Sequence, residues 1–261
     1  MDLRALCREI IADESEAGRE ASLAKLYGEL DGLEGYRRRT LGKTKYGPVY
    51  LFEEAERKDG KDVLLLGGLH PFCEAATAVS VLHVMREKHD YNLHAVPVLS
   101  PWAFVAPVNM KKLGHYDGDL KSKIGQYRDV NYHDMIDLEQ VGEIALSGSA
   151  RDMERLTKIS GDGFDLTVEC HMDYDRGFMG IGGTYTPTNR VGLILCSVSQ
   201  RDYSALLKSI TALHPLNGEP EIKGSRNDFL LNDDGVTAVL ETDPDDITLV
   251  KRFTDVIVRH I

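Results

Sequence analysis

Three stretches of the chain place imidazoles or carboxylates at the ends of apolar runs. In Val63-Leu-Leu-Leu-Gly-Gly-Leu-His70-Pro-Phe-Cys-Glu74 a hydrophobic run passes through two glycines and is followed by a histidine and a glutamate. One nitrogen and one oxygen donor separated by a turn can enter the same pocket, which suits a borderline divalent ion such as zinc. In Phe164-Asp-Leu-Thr-Val-Glu169-Cys-His171 a second run ends in a histidine. The alternation of a strand would put Glu169 and His171 on one face, where the carboxylate could fix the imidazole tautomer. In Gly235-Val-Thr-Ala-Val-Leu-Glu241 a third run ends in a carboxylate. Taken alone, the first stretch also fits a turn histidine and a first-turn acid favoured by the helix dipole. Three ionisable sites at the ends of apolar strands are hard to explain as packing, because such groups are seldom buried without partners or function.

Positioning these groups requires strands that alternate with helices. Residues 1–35 are expected to be helical, with Leu3, Leu6, Ile10 and Ile11, then Leu23, Leu26 and Leu30, at helical spacing. Short strands are expected over 38–41, 49–52 and 63–66, separated by turn residues. A helix over 75–88 and a strand over 93–99 follow. From Trp102 to Asp137 the pattern is irregular and reads as a long functional loop region. Helix over 142–160, strands over 164–170 and 191–197, helix over 204–213, strand over 235–242 and helix over 247–260 complete the pattern. The expected fold is a single α/β domain over residues 1–261, with a mixed, mostly parallel twisted sheet and helices on both faces. In open sheets of this kind ligands gather outside the carboxyl ends of strands, where all three polar stretches lie.

Composition narrows the classes. The 261 residues carry 42 acidic and 31 basic side chains, a formal charge of −11, so nucleic acid and anionic membranes are poor partners. The basic run Arg37-Arg38-Arg39 reads as a solvated face. The N-terminus mixes charges into an amphipathic pattern with no apolar core of an export signal, and no window approaches the length of a membrane span. Four cysteines without paired spacing suit a reducing compartment, and the expected location is the cytoplasm. The glycine-rich run Met179-Gly-Ile-Gly-Gly lacks the lysine and the strand-turn-helix context of a phosphate cradle.

With these motifs in order, the chain resembles the zinc carboxypeptidases and their relatives, the succinylglutamate desuccinylase and aspartoacylase amidohydrolases. Residues 41–52 look like the family's first hairpin, Gly67-Gly-Leu-His70 through Glu74 like its first metal motif, and Val96-Pro-Val-Leu-Ser-Pro like the strand and turn that follow. Tyr127-Arg-Asp-Val-Asn131 is similar to the "D-L-N-R" segment, Val168-Glu-Cys-His171 to the "D-L-H" strand, and Thr237-Ala-Val-Leu-Glu241 to the strand bearing the catalytic glutamate. The resemblance implies one zinc per chain held by His70, Glu74 and His171, with Glu241 activating a water against an amide bond. It implies Arg128 as the cation beside the oxyanion, with Lys111 and Lys112 as the other candidates, and Asn131 and Lys111 in substrate binding. The substrate class would be a peptide C-terminus, a cell-wall-type peptide or an N-acyl amino acid.

The chain departs from the family pattern in three places. His70 and Glu74 are one residue further apart than in H-x-x-E, and Cys73 occupies the expected ligand position. Either Glu74 or Cys73 could serve, the thiolate giving a softer site. Tyr132 stands where the family has the arginine that grips a terminal carboxylate, and no tyrosine lies between Ser204 and Glu241 to cap a substrate. These departures also admit a relative that has lost catalysis and serves as a binding or regulatory module.

Overall fold

Leu64 and Leu65 point to opposite sides of a strand, and both are buried, as a strand covered on two faces requires. That strand lies inside the sheet of a computed structural model, which describes residues 1–13, 15–44, 46–68, 76–105, 163–172, 192–196, 200–213, 221–223, 235–242 and 246–261. In chain order the elements are α1 (Leu3–Ala12), α2 (Glu16–Asp31), β1 (Tyr36–Thr44), β2 (Gly47–Glu54), β3 (Asp62–Leu66), α3 (Thr77–Arg86), β4 (Asn92–Val96), α4 (Pro101–Val105), β5 (Leu166–Met172), β6 (Gly192–Cys196), α5 (Gln200–Leu213), β7 (Glu221–Lys223), β8 (Val236–Thr242) and α6 (Leu249–Val258).

The strands form one sheet in the order β1-β2-β4-β3-β5-β8-β6-β7. Its middle, β4-β3-β5-β8, is parallel. Antiparallel pairings join β1 to β2, β2 to β4 and β6 to β8, and β7 runs parallel to β6. The mixed α/β architecture expected from the sequence is therefore the one observed.

Alternation sorts the core into two layers. Val63, Leu65, Leu93, Ala95, Leu166, Val168, Cys170, Ala238 and Leu240 pack against the helices, joined by Leu6 and Ile10 of α1, Leu23 and Leu26 of α2, Val81 and Leu82 of α3, and Leu249 and Phe253 of α6. On the opposite face Leu41, Val49, Leu51, Leu64, Leu66, Val96, Leu99 and Phe164 make a second cluster. Its members are 8% exposed or less, so this face is covered too.

The structure corrects the expected elements in four places. The N-terminal stretch is two helices, broken where the Ser15 hydroxyl caps α2 by accepting from the Gly18 N–H at 3.1 Å. The Asp13 carboxylate accepts from both the N–H and the hydroxyl of Ser15, which lowers the pKa of Asp13. The strand expected over 93–99 stops at Val96, before Pro97, which has no N–H for a ladder. The start of the expected loop region is the short helix α4, and β7 was not anticipated. The helix expected over 142–160 lies outside the described residues.

Candidate active site

The three strands that end in the polar stretches, β3, β5 and β8, are neighbours in the sheet and run parallel. Their carboxyl ends therefore share one edge. Leu66 pairs with Glu169, Glu169 with Val239, and His171 with Glu241. The candidate ligand of β5 and the candidate base of β8 are thus register partners on adjacent strands.

On β5 the alternation separates two kinds of side chain. Leu166, Val168, Cys170 and Met172 join the helix-facing cluster, whereas Thr167, Glu169 and His171 fall on the other face. All three polar residues are buried, with His171 at 8% exposure and Glu169 at 2%. His171 Nε2 lies 3.1 Å from Glu169 Oε2, which realises the pairing expected from the i, i+2 spacing. Between them, Cys170 faces the helices, and burial, reinforced by the Glu169 charge, pushes its thiol pKa up. A thiol held protonated in this way is an inert core group.

Two contacts fix the ends of these strands. The Thr242 hydroxyl donates to the backbone carbonyl of His171 at 2.8 Å, tying β8 to β5 at the level of the His171–Glu241 pair. Sequence reasoning missed Thr242, because its role depends on strand register and carries no motif. At the end of β3 the Gly68 N–H donates to Thr77 Oγ1 at 3.0 Å, while Gly67 and Gly68 carbonyls accept from Leu99 and Ser100 at 3.0 and 3.1 Å. The residues just beyond β3 are thus tied both to the start of α3 and to the residues that follow β4. A β-carbon on Gly67 would lie 2.8 Å from Val81 Cγ2 and 3.0 Å from the Pro97 oxygen, and Gly68 has φ +56°, so neither position suits a larger residue.

His70, Cys73, Glu74, Lys111, Lys112, Arg128, Asn131 and Tyr132 lie outside the described residues, and of Glu241 only the strand position is described. Among the described residues no group of three or more histidine, cysteine and acidic side chains could hold a metal. His171 fits a metal centre in its chemistry: a buried imidazole at a strand end, with one ring nitrogen on a carboxylate. The other described histidines have structural surroundings, His83 lying 4.0 Å from the Glu87 carboxylate one turn on, at the end of α3. His89 stacks on Tyr91 and approaches Glu54 at 3.0 Å, His260 meets Ser209 Oγ at 2.9 Å, and His94 packs edge-on against Phe164.

No protein-family model matches the chain, and no curated protein matches it by sequence. Solved structures do. A protein from Shewanella amazonensis SB2B, described as a "putative metallopeptidase", superposes with a TM-score of 0.58 at 14% identity, covering 92% of this chain and 93% of its own. A metallo-carboxypeptidase from Pseudomonas aeruginosa, solved with (2-guanidinoethylmercapto)succinic acid, gives a TM-score of 0.53 at 13% identity, over 92% of this chain and 67% of that one. A metallo-carboxypeptidase from Burkholderia cenocepacia gives 0.51 at 14% identity, over 92% and 68%. The chain has the metallo-carboxypeptidase fold. At these identities the likeness is one of fold, and it agrees with the resemblance carried by the sequence motifs.

Proposed function

We propose that the chain is a zinc-dependent hydrolase of an amide bond, acting on a peptide C-terminus, a cell-wall-type peptide or an N-acyl amino acid. The reading is carried by the buried His171–Glu169 pair at the carboxyl end of β5, with Glu241 as the register partner of His171 on β8. His70, Glu74 and His171 would hold the metal; Glu74 is preferred to Cys73 because a carboxylate keeps the mixed nitrogen and oxygen donor set that suits hydrolytic zinc. His70 follows Gly68 by two residues, and Gly68 lies two residues beyond the end of β3, the strand that neighbours β5. Bound zinc supplies a Lewis acid and lowers the pKa of a coordinated water from about 15.7 toward 7.

The chain's own groups do the proton work. Glu241 takes a proton from the attacking water and passes one to the leaving amine. Arg128 stabilises the charge that develops on the carbonyl oxygen, and Asn131 and Lys111 bind the substrate. With Tyr132 where a carboxylate-gripping arginine would stand, the substrate's acid group is assigned to Lys111. Among the described residues no helix is long and apolar enough to cross a membrane, and a small peptide or N-acyl substrate arriving from solution, in the cytoplasm, fits that and the acidic charge.

The test is hydrolysis of a panel of peptides and N-acyl amino acids by the zinc-loaded protein. Glu241→Gln is expected to reduce turnover at least 100-fold, the scale of a lost general base, while keeping its zinc. Turnover unchanged in that variant would remove Glu241 from the mechanism. Zinc bound with no turnover on any member of the panel would favour a binding module.

A further inference from the structure

β1 stands at one end of the sheet, and among the described residues β2 is the one strand that pairs with it. An edge strand points part of its backbone N–H and C=O groups away from the sheet, where another chain can meet them. In β1 the cover over the sheet also ends. Arg37, Arg38, Arg39 and Thr40 are all exposed, whereas Val63 to Leu66 of β3 are all buried. Successive strand residues point to opposite faces, so β1 is open on both faces over these four positions.

The charge of this edge runs against that of the chain. Acids outnumber bases 42 to 31 overall, yet Tyr36–Thr44 carries Arg37, Arg38, Arg39 and Lys43 and no acid. Arg38 is engaged by Asp31 and the Tyr50 ring, and Arg39 lies 3.9 Å from Glu53. Among the described residues no acid pairs with Arg37 or Lys43. Two copies of β1 joined antiparallel would set arginines against arginines, which like charge disfavours. The edge is thus guarded against self-pairing and open to a strand that brings carboxylates.

We propose that the outer edge of β1 over Tyr36–Thr40 docks an extended acidic segment of another protein, which adds to the sheet as a further strand. The register shift between Thr40 and Gly42 ends the regular ladder and sets one limit of the site. Backbone hydrogen bonds supply affinity. Carboxylates at alternate positions, opposite Arg37 and Arg39 on one face, supply specificity, because the arginine fork matches a carboxylate at two points. Strands β2 and β4 separate this edge from β3, so the site is independent of the hydrolase reading.

The experiment adds a fluorescein-labelled peptide of alternating glutamate and valine to the full chain. Anisotropy should show saturable binding that weakens with salt, and alternate amides between Arg37 and Thr40 should become protected from hydrogen exchange. Arg37→Glu should weaken binding about 10-fold, the swing from a favourable cross-strand pair to a like-charged one. The same peptide N-methylated at every residue keeps its charge, cannot donate to the edge and should not bind. Absence of binding, equal binding of the N-methylated peptide, or an unchanged affinity in Arg37→Glu overturns the proposal. So does a single-stranded oligonucleotide that binds at Arg37 more tightly than the peptide, which would make the edge a phosphate-binding surface.

Discussion

At the scale of single residues, Gly67 and Gly68 set where the chain can leave the sheet. Helix α3 and the exit of β4 press on them from both sides: the built β-carbon of Gly68 would stand 3.1 Å from the Pro97 oxygen and 3.2 Å from Val98 Cα. Gly67→Ala and Gly68→Ala are each expected to destabilise the protein by about 1–3 kcal/mol, the usual effect of overpacking, measurable by chemical denaturation. An unchanged midpoint would mean that Gly67 and Gly68 are not packed against α3 and the exit of β4 as described. The polar residues of β5 were legible from sequence, because an i, i+2 pair in an apolar strand has one geometry. Thr242 was not legible. A threonine beside a glutamate carries no signal until the ladder places Met172 opposite it and the His171 carbonyl within reach.

Between elements, hydrogen bonds at strand and helix ends decide more than periodicity does. Leucine spacing continues through residues 3–30, so a single helix was the natural expectation, yet the Asp13 and Ser15 side chains compete for backbone donors and divide it. Ser15→Ala is expected to lower stability by about 1 kcal/mol, with helical content reduced in circular dichroism. At the other end of the site, Thr242→Val removes the hydroxyl that satisfies the His171 carbonyl. It should destabilise by about 0.5–1.5 kcal/mol, while Thr242→Ser should restore most of that in the same unfolding measurement. Equal stability of the Val variant would show that the strand end is held by something else. The expected elements over 63–66, 164–170 and 235–242 matched their strands closely, because apolar runs bounded by Gly and Pro leave few alternatives.

For the whole molecule, the order of strands is what the sequence could not supply. Pairing of β4 with both β2 and β3, and insertion of β8 between β5 and β6, depend on which buried faces fit one another. Two of the run's arginines have partners: Arg38 lies 4.4 Å over the Tyr50 ring and pairs with Asp31, and Arg39, on the other side of β1, sits 3.9 Å from Glu53. Burial of His83 on α3 lowers its pKa from the ordinary 6.5, against the opposing pull of Glu87 and Asp246. The unfolded chain therefore binds a proton at this site more readily than the folded one, and stability should fall as pH drops below 6.5. His83→Gln should flatten that part of the pH–stability curve, and an unaltered slope would remove His83 as its source.

His171, at the end of β5, and His70, beyond the end of β3, are proposed to serve one divalent ion. The decisive experiment is metal analysis of the purified chain, of His70→Ala and of His171→Ala. The expected result is about one zinc for each wild-type chain, the mononuclear stoichiometry of a three-ligand site, with both variants folded and stripped of the metal. A wild-type chain that takes up no zinc, or a His171→Ala variant that keeps its full complement, would contradict it.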